Sequence, residues 1–239
     1  MLDVHVPHPT HTWRDFFIHI ATITVGLLIA VSLEQAVESI HHHRQRQELI
    51  QSLLEDAKKA TLDAEEYGRY INLRNAWLRQ RLAQVRLAIS TRQPLSVSPP
   101  FIATFPNTPD SPSWTAAKSS GLLSVLSQDE IRSFGEAANL SIDFSPLATE
   151  ESTLRFKTRR FDQIYLTSDS PDRYDFSTAA SADLKEYLDL LLTEQTSLNR
   201  ADLWLRYIRG ADAALLEGSR DLDVIEKAEL RFITAEPAK

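Results

Sequence analysis

The sequence predicts an all-α protein, with an N-terminal transmembrane helix continuing into a long helix and then an extramembrane helical bundle. Three observations carry this reading. The run Phe16–Leu33, FFIHIATITVGLLIAVSL, contains no formally charged residue. Apolar residues recur every seven positions over much of the remaining chain. Only six of 239 residues are glycine, and abundant Leu, Ala, Glu, Arg and Gln favour helix.

The apolar run comes first in the chain. At 1.5 Å per residue it reaches about 27 Å, close to the roughly 30 Å hydrocarbon core of a bilayer. A cleaved signal peptide needs a basic start, a shorter apolar stretch and a small-x-small cleavage site. Here Asp3 and Asp15 accompany Arg14, and the run ends in Leu33-Glu34-Gln35. An uncleaved span over residues 13–35 is therefore expected, preceded by a flexible, histidine-containing tail at 1–12. Trp13 is placed to sit among the headgroups.

Thr22 to Gln35, T-I-T-V-G-L-L-I-A-V-S-L-E-Q, follows a short tail containing Trp13-Arg14-Asp15-Phe16. Together these resemble the signature of uncharacterised bacterial single-pass membrane proteins. The resemblance covers about residues 11–45 and implies an architecture, with a helical extramembrane domain, but no activity. A bacterial inner membrane is the location it implies. Arg14 on one side and Arg44 and Arg46 on the other give the positive-inside rule no clear vote. The expected arrangement leaves a short tail inside and exports the larger domain to the periplasm, which the absence of cysteine suits.

Residues 36–239 are expected to form one extramembrane helical domain. Over 34–90, Ile50, Ala57, Ala64, Ile71, Leu78 and Val85 recur every seven residues, with Leu53, Leu54, Ala60, Tyr67, Leu82 and Ile89 as companions. That period signals shallow-angle helix packing, in a bundle or a coiled coil. Six of the eleven prolines then fall between Pro94 and Pro112, so residues 91–112 read as an extended crossing. Phe101, Ile102 and Phe105 within it are expected to pack against the bundle.

Ser111-Pro112 suits a helix start with Ser111 as the cap, and Gly121 suits a turn. Ser127-Gln128-Asp129-Glu130 reads as a capping box before another helix. Leu140, Leu147, Leu154 and Phe161 keep the seven-residue period, with a kink or restart expected at Ser145-Pro146. Residues 167–176 read as a loop. A long helix over about 177–216 follows, carrying Leu184, Leu191, Leu198 and Leu205 on one heptad position, and a short helix near 222–232 closes the chain.

The chemistry-bearing residues are few. All seven histidines lie between His5 and His43, and no cysteine exists. The domain beyond residue 43 therefore lacks the parts of a Ser-His-Asp triad, a cysteine nucleophile or a histidine zinc site. An enzyme is not expected, and neither is a cofactor. The net charge of −7 with interleaved acids argues against nucleic acid. His5, His8 and His11 are spaced by three and could weakly hold a transition metal in a polyproline II tail. The plainer reading is a polar tail. His41, His42 and His43 step by about 100° and cannot converge on one ion within a single helix.

Thr22, Gly26 and Ala30 recur every fourth residue within the span. Small residues at this spacing let two membrane helices approach closely. The expected function is thus a scaffold or accessory subunit, acting in the lipid bilayer by self-association or by docking to a membrane complex. The alternative is an extracytoplasmic sensor or ligand-binding module, with a pocket involving Trp77, Trp114, Phe134 or Trp204. A metal- or haem-handling role through the N-terminal histidines ranks third.

Overall fold

The computed structural model describes residues 13–91, 101, 103–165 and 179–234. Of these, 89% are helical and none forms a strand. In chain order the elements are α1 (Trp13–Thr91), α2 (Pro112–Ser120), a 3₁₀ turn (Leu122–Val125), α3 (Gln128–Ile164), α4 (Ser181–Leu216) and α5 (Leu222–Thr234). The chain divides into two units, Met1–Glu48 and Leu49–Lys239, and α1 contributes residues to both.

In the first unit, residues 13–44 are all exposed, and the apolar run meets the length and composition of a candidate membrane span. Its hydroxyls are satisfied within the helix. Thr22, Thr24 and Ser32 each donate to the carbonyl four residues back, at 2.9, 2.9 and 2.6 Å. Such back-bonding lets a hydroxyl lie in an apolar medium without an external partner.

The second unit begins at Leu49, the first buried one among the described residues, thirteen positions beyond the start predicted for the extramembrane domain. Residues 36–48 bury no side chain, which is why the division falls where it does. Ala57, Ala64, Ile71, Leu78 and Val85 of α1 are buried, and Ile50 is partly so. Leu184, Leu191, Leu198 and Leu205 of α4 are buried too, and these stripes meet α3 in one continuous core. Fully burying a leucine contributes about 2 kcal/mol, so the stripes supply much of the drive to pack. A second cluster joins Leu49 and Leu53 to Trp114, Leu126, Phe134, Leu215 and Ile225, drawing α2 and α5 onto the same bundle. As expected, Phe101 and Phe105 pack against the core; Ile102 lies outside the described residues, as do the predicted loop at 167–176 and the first residues expected of α4.

Three local signals are realised and two are corrected. Ser127 and Glu130 form the reciprocal capping box, Glu130 N donating to Ser127 Oγ at 3.3 Å and Ser127 N to Glu130 Oε2 at 2.9 Å. Gly121 ends α2 at φ 77°, where a Cβ is strained. The short closing helix is α5, as predicted. Ser111 is the N-cap of α2 with Pro112 at its first position, as expected, but its side chain makes no cap bond; Asp56 of α1 accepts from Ser113 N at 2.7 Å instead. A carboxylate suits a helix N-terminus and here also fixes α2 to α1.

The helix does not restart at Pro146: α3 runs through it as one element. A helix-interior proline costs about 3 kcal/mol. Phe144, Ala148, Glu151 and Leu154 are buried on both sides of it, so restarting the helix would sacrifice more packing than the proline costs. At the other end of the bundle, Gly210 lets the backbones of α4 and α5 touch. A Cβ there would lie 2.5 Å from Glu229 Cα.

Candidate functional site

Two sets of residues merit functional attention, one in each unit. In the first, Thr22, Gly26 and Ala30 lie at i, i+4 and i+8 on one helix, and all are exposed. A Cβ built on Gly26 meets nothing within 4 Å, so the backbone there is open to close approach. Beside this face, Val25, Leu28, Ile29, Ser32, Leu33 and Ala36 line a shallow apolar groove. With its hydroxyls already bonded internally, such a surface offers van der Waals contact to another helix or to lipid.

His19, His41, His42 and His43 are exposed on the same helix, and His42 Nε2 stands 3.8 Å from Glu38 Oε1. His5, His8 and His11 lie outside the described residues. Among the described residues no group of three or more His, Cys, Asp or Glu is arranged to hold a metal ion.

The second set was not foreseen. Along the centre of the bundle, charged and hydroxyl side chains sit where apolar ones would be expected. Arg74 of α1 donates from Nε to Glu194 Oε1 of α4 at 2.6 Å, and both side chains are almost fully buried. Thr158 of α3 donates to the other Glu194 oxygen at 2.7 Å. One heptad further along α1, Arg81 lies 3.9 Å from Asp162 of α3, to which Tyr187 of α4 donates its hydroxyl. Trp77 is sandwiched between the two guanidinium groups, at 4.2 Å from Arg74 and 4.8 Å from Arg81. Arginine suits this seam because its planar cation both forks onto carboxylates and stacks on aromatic faces.

A third layer lies toward the crossing. Tyr70 of α1 donates to Glu151 Oε1 of α3 at 2.8 Å. Arg155 reaches Ala103 O at 2.7 Å and lies over the rings of Tyr70, Phe101 and Phe105, clamping the crossing to the bundle. Among the described residues Glu151 Oε2 and Tyr67 Oη have no hydrogen-bond partner. Burial pushes the Glu151 carboxyl up to about 7, Tyr70's hydrogen bond pulls it down, and the Glu194 charge adds to the rise. Burial also raises Asp162, against the pull of Arg81. At the far end, burial and then the Glu136 and Glu226 charges push Glu229 up to about 7.

These residues share a register with the apolar stripes. Tyr67, Arg74 and Arg81 recur by seven on α1; Phe144, Glu151 and Thr158 on α3; Tyr187 and Glu194 on α4. That second, polar heptad was the signal available in the sequence. The seam is buried and its charged groups pair mainly across helices, which ties α1, α3 and α4 to one another. The four aromatic residues considered for a pocket fall in two separate clusters: Trp77 and Trp204 in one, Trp114 and Phe134 in the other. Compared with known proteins, the chain finds no counterpart: no family model, curated protein or solved structure matches it.

Proposed function

We propose that this chain is a bacterial single-pass inner-membrane protein that acts by association, as a scaffold or accessory subunit, and not by catalysis. Its helical domain would face the periplasm, and it would assemble with further copies or with another membrane protein. One observation carries the reading: the apolar run exposes all its side chains, whereas the heptad stripes of the second unit are buried within the chain itself. The bundle satisfies its own core and leaves the span as the surface in need of a partner. Thr22, Gly26 and Ala30 are the contact positions this reading selects.

The test is the mass and composition of the untagged complex extracted in a mild detergent. A homo-oligomer that Gly26→Ile dissociates supports self-assembly through this face. A stoichiometric second protein makes the chain an accessory subunit. A monomer with no companion, from native membranes, overturns the proposal.

A further inference from the structure

We infer that the bundle holds a binding site for one water-sized hydrogen-bonding molecule, water or ammonium, in the cavity beside Asp212. The cavity has a volume of about 10 Å³, close to the least that holds one water. It lies where four segments meet: Asp56 and Ala60 of α1, Asp110 and Ser111 of the crossing, Ser141 of α3, and Asp212 of α4. The site is thus polar on several sides, unlike the dry voids left by truncated apolar side chains.

Asp212 is the anchoring group. It is 2% exposed, and its Oδ2 has no hydrogen-bond partner among the described residues. Leaving a buried carboxyl oxygen unpaired is costly, so a small molecule able to hydrogen-bond to it in the adjacent space is strongly favoured. The other carboxylates on the wall are engaged elsewhere: Asp56 accepts from Ser113 N at 2.7 Å, and Asp110 pairs with Lys59 at 2.9 Å. Neither supplies a donor to Asp212, and the lining contains no cationic side chain. Burial holds this carboxyl well above the usual range, against the pull of Thr61, whose hydroxyl donates to Ala57 O at 3.0 Å. Asp110 is exposed, which gives the occupant a route to and from solvent. A molecule seated here would link the α2 end of the crossing to α1, α3 and α4.

The experiment is a high-resolution crystal structure of the full chain, grown once without ammonium salts and once with them. One density peak within about 3 Å of Asp212 Oδ2 is expected. Melting temperatures in sodium and ammonium chloride at equal ionic strength identify the occupant. Equal values with the peak present assign water; a rise with ammonium concentration assigns ammonium. In Asp212→Leu, which fills the space, the peak and any ammonium dependence should both vanish. An empty cavity in the unaltered protein overturns the inference, as does a peak that persists in Asp212→Leu.

Discussion

The Arg74–Glu194 pair makes the sharpest quantitative test of the buried seam. Replacing Glu194 by Leu strands a guanidinium whose side chain is 4% exposed, and replacing Arg74 by Met strands a carboxylate that is 0% exposed. Removing one partner of such a pair costs about 3–5 kcal/mol, because the survivor stays buried without compensation. At roughly 2–4 °C per kcal/mol for a bundle of this size, each single variant should melt about 6–20 °C lower. The double variant removes both charges. Thr158 then loses Glu194 as an acceptor but keeps the Leu154 carbonyl, 3.0 Å from its Oγ1, so no hydroxyl is orphaned. The double variant should lie within about 2 kcal/mol of the unaltered protein, a coupling of at least about 3 kcal/mol. Urea unfolding of the full chain in mild detergent, followed by helical circular dichroism, measures all four corners of the cycle. Additivity within about 0.5 kcal/mol would show that the pair is hydrated and would refute the sealed seam.

Glu151 binds a proton more tightly in the fold than in the unfolded chain, so stability should fall as pH rises from about 4.5 to about 7. That tighter hold on the proton corresponds to about 3 kcal/mol from this buried group. Melting temperature should drop across that window, and Glu151→Gln should flatten the drop; equal slopes would refute the assignment. Because Tyr70's hydrogen bond lowers this carboxyl, Tyr70→Phe should shift the window toward alkaline pH. Gly210→Ala should cost about 1–3 kcal/mol and selectively strip hydrogen-exchange protection from α5, since the new methyl meets Glu229 backbone atoms that cannot turn aside. Unchanged protection there would contradict the close crossing. Pro146→Ala should stabilise the fold by up to about 3 kcal/mol and so raise the melting temperature, because the exposed ring packs little and the alanine restores an N–H toward Ile142 O. A destabilised variant would mean that the proline is structurally required.

What the sequence disclosed and what it hid divide along physical lines. Apolar periodicity located the core faces of α1 and α4, because each buried leucine adds independently to the same stripe. Helix starts governed by neighbours were also legible: Ser127 and Glu130 are three residues apart and cap each other. Features that depend on distant partners were not. The cap of α2 comes from Asp56, 57 residues before Ser113. On α3 the apolar set Leu140, Leu147, Leu154 and Phe161 marks a flank, while the centre of the buried face includes Ser141, Glu151, Thr158 and Asp162. A hydrophobicity pattern assigns those polar residues to solvent, and only their partners on α1 and α4 justify burial. For the membrane face, the spacing of Thr22, Gly26 and Ala30 was visible from the start, since an exposed helix surface is its own sequence pattern.

The polar seam also answers a difficulty that a purely heptad core would leave. Sliding α1 by seven residues moves Leu78 into the place of Ile71 and Val85 into that of Leu78, exchanges that apolar packing barely distinguishes; only Ile71, entering the space of Ala64, is opposed by packing. The same slide brings Arg81 opposite Glu194, a tolerable outcome, but moves Ala88 to the place of Arg81. Asp162 would then keep Tyr187 and lose its cation, while Arg74 would move toward the Tyr67 position, away from Glu194. Each misplaced charge carries a penalty of the size expected for a broken buried pair, and the two add. Unequal layers, with Arg74 and Arg81 followed by Ala88, thus discriminate one alignment where the leucines permit several. Polar groups at core positions are a known means of fixing helix register. The charges gain little net stability in water-free surroundings, yet they rank the competing alignments by several kcal/mol. Neutralising one layer in the Arg74→Met, Glu194→Leu double variant should therefore spare stability while weakening that discrimination.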